Sequence, residues 1–403
     1  MHGPRGTDAR KLAERLTAHA VLAHDPAVPQ IAADYWELSE AHYRAVDALL
    51  TGFLHGRPEA RPLYTALVTD TADLAPQHAL RDRLTGLLED ASGEERAELS
   101  AAVAEADRHI WIDYHLGAGH RGGLAGGGLP EDGLPGGGDG PVADFGRRGR
   151  ADAQVHVVIP FRDREGGGLR TRNLLACLRS LADQEAGAAP WVTVVETDEV
   201  PRSRELLAPL VDSYVFAEKS GLFNKSWAVN VGVAGAPHPF PYTCVLDADI
   251  LVDRSFVRRN TGRIAGGGHG THLPFRWSLS LDESSTLGAL RIRAEHADVP
   301  YEALRGLLLR EPPGGCVWTR TEIFDKVGGF DERYEGWGGE DDDVIARLSG
   351  AAPVVRFEDP LLHLNHPRPQ MTREGQPFNA HIEPLSWAPE RYGDPLKFTA
   401  SRA

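Results

Sequence analysis

The chain has 403 residues, 41% hydrophobic and 25% charged, a globular composition with material for roughly two or three domains. Its 58 acids against 43 bases leave a formal net charge of −15, which argues against a dedicated nucleic-acid or anionic-membrane binder. No apolar run approaches the roughly 18 residues of a membrane helix, the N-terminus lacks a signal-peptide core, and Cys177, Cys244 and Cys316 make no disulfide framework, so a soluble, cytoplasmic protein is expected.

From about residue 8 to 115 the apolar positions recur at helical spacing. Leu12, Leu16, Val21 and Leu22 are followed by Tyr43, Val46, Leu50, Phe53 and Leu54, and a second block runs from Leu80 to Tyr114. No chemical motif stands in this stretch, and residues 1–116 read as an α-helical accessory domain, open to binding the acceptor, a partner or a second copy of the chain. Glycine then dominates. Residues 117–151 offer little apolar surface to offset the entropy of ordering and are expected to form a flexible linker. A phosphate-binding glycine loop is rejected there, because no strand precedes it and no Gly-Lys-Ser/Thr follows.

Residues 152–403 change texture to alternating strands and helices. VHVVIPF, WVTVVETD and YTCVLDADILV read as strands, and LRTRNLLACLRSLADQ and NKSWAVNVGVAGA as helices. This order implies an α/β fold with a parallel sheet covered by helices, in which ligands sit beyond the carboxyl ends of the strands.

Four segments at such ends carry chemistry. The first strand ends in Pro160-Phe161-Arg162-Asp163-Arg164, where two guanidinium groups can grip a diphosphate or simply pair with neighbouring acids. The third leads into Asp247-Ala248-Asp249. In an extended chain residues two apart point the same way, so both carboxylates are expected to face one site and to suit Mg²⁺ or Mn²⁺. The run Gly336-Trp337-Gly338-Gly339-Glu340-Asp341-Asp342-Asp343 opens a helix. Capping explains one or two of its acids, but neither four nor a tryptophan between glycines. That tryptophan offers a flat face to a sugar ring, and a neighbouring carboxylate can serve as a general base. Finally His363 and His366 are spaced to share a metal; zinc hydrolysis is disfavoured because neither HExxH nor a cysteine cluster accompanies them.

Together these segments resemble the metal-dependent GT-A glycosyltransferases, above all the β-1,4-galactosyltransferase family, over roughly residues 155–370. The matching motifs are Pro160-Phe161-Arg162-x-Arg164, Phe223-Asn224-Lys225 with Asn230-Val231-Gly232, Tyr242-Thr243-Cys244 leading to Asp247-Ala248-Asp249, Gly314-Gly315, and Trp337 to Asp343. The resemblance implies a Rossmann-like GT-A domain behind the helical one, with Pro160, Phe161, Arg162, Arg164, Asn224, Lys225, Asp247, Gly314 and Gly315 at the nucleotide sugar. It also implies Asp249, with Asp247 and the histidines, on Mn²⁺ (or Mg²⁺), Trp337 at the acceptor, and Asp341 as base flanked by Glu340 and Asp342. Glu196, after the second strand, is expected near the nucleobase. Two departures stand out: His363 replaces the family's methionine, and Glu311-Pro312-Pro313 stands where an aromatic residue tunes the donor sugar.

The expected activity is inverting transfer of a hexose or N-acetylhexosamine from a UDP-sugar, with a GDP-sugar as second choice, to a hydroxyl of a saccharide, natural product or peptide. At a helix N-terminus Asp341 is expected to stay ionised, since the dipole favours the anion. A metal-dependent nucleotidyltransferase or phosphohydrolase, and a non-catalytic carbohydrate-binding protein, are the competing readings. The first gives no reason for the Trp-Gly-Gly-Glu-Asp run, and against the second stands the presence of every charged position needed for transfer.

Overall fold

The computed structural model describes residues 5–31, 33–117, 152–164, 168–367, 372–373 and 376–399. The expected glycine-rich linker lies, from 118 to 151, outside them. The chain forms two compact units. The first takes the described residues up to 117 and also Ser278–Ser285 and Pro300–Glu311; the second takes the rest.

The first unit is built on the helices Arg5–His24, Ala33–His55, Arg61–Thr69, Leu74–Asp90 and Gly93–His109. Leu16, Leu50, Leu67, Leu80, Leu84 and Leu88 are fully buried among them. The last helix starts at a capping box, in which Ser92 and Glu95 satisfy each other's free amides. One polar network crosses the packing: Arg15 donates to Asp113 at 2.9 Å and also pairs with Asp107, and burial is outweighed by the two carboxylates, which hold the guanidinium charged. The helical pattern expected to run to 115 stops at His109. Ile112–His115 is a strand, antiparallel to Gly306–Arg310 with Ile112 opposite Leu309. A partner almost 200 residues away is what overrides the local helical texture there and draws Pro300–Glu311 into this unit.

The second unit is mixed α/β. Its seven-stranded sheet runs in the order Val354–Arg356, Thr271–Leu273, Cys316–Arg320, Tyr242–Leu246, Val155–Phe161, Trp191–Glu196, Ser213–Phe216. Val155–Phe161 is parallel to both its neighbours and every residue in it is buried, the reading expected of a β-branched run covered on both faces. Cys316–Arg320 departs from the all-parallel expectation, since it runs antiparallel to Tyr242–Leu246. Trp227, Trp318, Phe275, Phe324 and Phe330 fill the core between sheet and helices. Two of the sheet's helices, Leu169–Ala182 and Lys225–Ala234, lie where the sequence placed them.

This topology gathers the chemical segments. The parallel strands deliver Arg162, Asp198 and Asp247 from their carboxyl ends. The antiparallel Cys316–Arg320 strand starts at that same edge and brings Gly314 and Gly315 beside Asp247, whose amide donates to the Gly315 carbonyl at 3.0 Å. Leu361–His363 pairs with Ile250–Leu251, setting His363 opposite Ile250. Among the described residues no helix is long and apolar enough to cross a membrane.

Candidate active site

Asp247 and Asp249 do not share one extended face. The strand ends at Leu246, and residues 247–249 turn before Ile250, so the two carboxylates meet different partners. Asp249 meets the histidines. His366 Nε2 lies 2.9 Å from its Oδ2 and His363 Nε2 lies 3.5 Å from its Oδ1. The two imidazole rings are 5.1 Å apart, and one donor atom from each of the three residues falls within 4.8 Å of the others. Burial would raise the Asp249 carboxyl; His363 and His366 outweigh it and hold the group below its usual range.

A metal fit can be tested on these atoms. Among the described residues Asp249 Oδ1 is buried without a hydrogen-bond partner, an arrangement that costs free energy unless something else binds it, and His366 Nε2 is buried with the Asp249 carboxylate as its neighbour. One carboxylate and two imidazoles at this spacing suit a divalent first-row ion, while Mg²⁺ prefers an oxygen shell. The residues fit a divalent cation.

Asp247 turns to Lys225. The Lys225 ammonium lies 3.0 Å from an Asp247 oxygen and 2.9 Å from Asp341 Oδ2, a single cation between two carboxylates from distant motifs. Lys225 is the first residue of its helix, and Asn224 caps that helix by accepting from the Trp227 amide at 2.7 Å. Burial would lower the Lys225 ammonium, but Asp247 and Asp341 overcome it and raise it well above the ordinary lysine range.

Asp341 sits in the first turn of the helix Glu340–Ala351, whose N-cap Gly339 has φ +92°. A side chain there would strike the Tyr334 ring, so glycine is required for both space and conformation. The expectation that the helix dipole keeps Asp341 low is corrected by the structure: burial raises its carboxyl, with Lys225 opposing and Asp247 adding to the rise. Glu340 is pushed up to about 7 by burial and by Asp341 beside it. Asp342 is also raised by burial, while Asp343 belongs to the fold, paired with Arg347 at 2.7 Å and accepting from the Leu385 amide. Trp337 is 43% exposed, and the carbonyl of the adjacent Gly338 is held by Asn379 at 2.8 Å.

Other expected residues have structural work. Pro160 and Phe161 lie in the buried strand, and the Phe161 carbonyl accepts from the Thr197 amide at 3.1 Å. Asn224 spends its amide on the helix cap and on the Glu332 carbonyl. Glu196 is fully buried with both oxygens engaged, by the Ser203 amide and the Tyr214 hydroxyl, so it faces inward rather than toward a nucleobase. The acid that sequence reasoning missed is Asp198, two residues further on. It lies 3.4 Å from Arg162, 3.6 Å from Arg164 and 3.0 Å from Arg202. Its place just past a parallel strand was the available signal. Arg162 Nε is buried without a partner among the described residues, and Arg164 also donates to the Gly221 carbonyl at 2.9 Å.

Known proteins meet the chain in this region. The family described as the N-terminal domain of galactosyltransferase matches residues 307–366. Beta-1,4-galactosyltransferase 7 of Drosophila melanogaster is 26% identical over 133 residues, one third of this chain and one third of that protein. Among solved structures, S. aureus TarS 1-349 in complex with UDP-GlcNAc is 14% identical with a TM-score of 0.37, covering 56% of this chain and 61% of that one. A mutant of the Drosophila enzyme with manganese, UDP-Gal and xylobiose is 16% identical with a TM-score of 0.31, covering 59% and 76%. The matched segment begins before the Gly314-Gly315 turn and ends on His366, and with it the chain resembles the β-1,4-galactosyltransferase family.

Proposed function

We propose that the chain is a metal-dependent, inverting glycosyltransferase of GT-A type, which moves a hexose or N-acetylhexosamine from a UDP-sugar to an acceptor hydroxyl. The observation that carries this reading is the placement of Lys225 between Asp247 and Asp341: Asp247 is separated from Asp249 of the candidate cation site by one alanine, and Lys225 joins it to Asp341 of the Trp-Gly-Gly-Glu-Asp run. Manganese, bound through Asp249, His363 and His366, would supply Lewis acidity at the diphosphate. Arg162 and Arg164, steered by Asp198, add positive charge for the same group.

Asp341 takes the proton of the acceptor hydroxyl as it attacks the anomeric carbon from the face opposite the leaving UDP. Its raised carboxyl makes it a stronger base than an exposed aspartate, and Lys225 opposes that rise. Trp337, half exposed between glycines, gives the acceptor ring a surface to lie on. The family match over 307–366 supports the class of reaction, and the UDP-sugars in the solved relatives support the donor class.

The test is to incubate the protein with a panel of UDP- and GDP-sugars, Mn²⁺ and saccharide acceptors, and to identify the products. Free UDP with a glycosylated acceptor, lost in EDTA, is expected. Release of a sugar phosphate instead would replace this reading with nucleotidyl transfer or phosphohydrolysis.

A further inference from the structure

The segment between the two histidines is held by side chains that no motif singled out. Asn365 lies between His363 and His366, and both polar groups of its backbone are taken up. Its amide donates to Thr286 Oγ1 at 2.9 Å. Its carbonyl accepts from Arg172 Nη2 at 3.0 Å and from Asn173 Nδ2 at 3.1 Å. Arg172 Nε in turn donates to Asn173 Oδ1 at 3.1 Å, so the two donors brace each other. The neighbouring Leu364 amide donates to the backbone carbonyl of Asp249 at 2.9 Å, tying the histidine segment to the carboxylate ligand's own main chain. Thr286, Asn173 and Arg172 are all buried.

We propose that Thr286, Arg172 and Asn173 are positioning residues for a divalent-cation site, a clamp that sets the spacing of Asp249, His363 and His366 before the ion arrives. This rests on the reading of those three as the cation ligands. The residues after the Leu361–His363 strand, which carry His366, would otherwise sample many arrangements, and ordering them at the moment of binding would weaken affinity. Here any displacement of the Asn365 backbone breaks up to three hydrogen bonds to side chains that are themselves buried. Such outer partners of metal ligands commonly govern affinity about 10–100-fold.

The experiment measures Mn²⁺ binding to the full-length protein by electron paramagnetic resonance of the free aquo ion, with no substrate present. Thr286→Val removes the acceptor at nearly constant volume, and Thr286→Ser restores it. The Val variant is expected to bind Mn²⁺ about tenfold more weakly and the Ser variant to stay within about twofold of wild type. Asn173→Ser, too short to reach the Asn365 carbonyl, carries the same tenfold expectation and stands in if Thr286→Val does not fold. Asp249→Asn should abolish binding. If Asp249→Asn binds Mn²⁺ as well as wild type, the cation-site reading itself falls. If Asp249→Asn loses the ion while folded Thr286→Val or Asn173→Ser retains wild-type affinity, the clamp alone is overturned.

Discussion

Gly314 has no side chain where the Asp341 carboxylate needs room: a Cβ on Gly314 would fall inside the van der Waals shell of Asp341 Oδ2. The carboxylate of an aspartate can swing aside, so Gly314→Ala should fold, with a melting temperature lowered by the loosened Lys225–Asp341 pair. The base, however, would leave its place beside Lys225. A displacement of about 1 Å at a catalytic group can lower a rate about 10²-fold, and that is the expected loss in acceptor-dependent UDP release.

Asp341→Asn should lower single-turnover transfer by about 10²–10⁴-fold, the usual contribution of a positioned base. Its UDP-sugar and Mn²⁺ affinities should stay close to wild type, because the nucleotide and cation ligands are other residues. Lys225 keeps Asp247 as its partner and burial already disfavours the Asp341 anion, so stability should change little. Transfer at the wild-type rate would hand the role of base to Glu340 or Asp342.

Lys225→Met leaves Asp247 and Asp341 facing each other without their shared cation. Leaving buried charge uncompensated costs on the order of 3 kcal/mol, read as a lower melting temperature. The ammonium also opposes the upward shift of the Asp341 carboxyl. Its removal should therefore move the acidic limb of the transfer-rate profile to higher pH. A variant whose pH profile coincides with wild type would show that Lys225 does not act on the base.

Glu340 gives stability its own pH signature. Its carboxyl is raised in the folded protein from 4.5 to about 7, first by burial and then by Asp341. The folded state therefore holds the proton more tightly than the unfolded chain, and the contribution is complete below about pH 4.5 and lost as pH rises to about 7. Glu340→Gln removes this dependence. Melting temperatures between pH 4.5 and 7.5 should fall more in wild type than in the variant; parallel curves would contradict the raised carboxyl.

Asp249→Asn should remove the Mn²⁺-dependent part of UDP binding, measured as the melting-temperature rise at saturating UDP with and without the metal. The fold should survive, since the residue lies in a turn beyond the strand. An unchanged Mn²⁺-dependent shift would free Asp249 of its ligand role.

The strands and helices of the second unit were legible because their signals are local. VHVVIPF is apolar on both faces and became a buried central strand, and the Ala- and Val-rich run after Lys225 became a helix. Ile112–His115 was not legible, because what makes it a strand is Gly306–Arg310, not its own neighbours. Motif positions were legible, but orientations were not. Glu196 and Asp198 both follow the same strand, and only the fold directs the first to Tyr214 and the second to the arginines. A turn likewise sent Asp247 to Lys225 and Asp249 to the histidines, where the spacing alone suggested a common face.

The pairing of Ile112–His115 with Gly306–Arg310 also bears on how the chain comes off the ribosome. The helices of the first unit emerge early, yet the strand that completes it is made about 190 residues later. At about 5–20 residues per second, that interval is roughly 10–40 s. Through it the N-terminal helices must persist with one strand edge unpaired while most of the central sheet is still being synthesised. Such an edge invites pairing with other chains. Expression at slowed translation should therefore favour aggregation that begins in the first unit, and Ile112–His115 is the place where an edge-blocking lysine would relieve it.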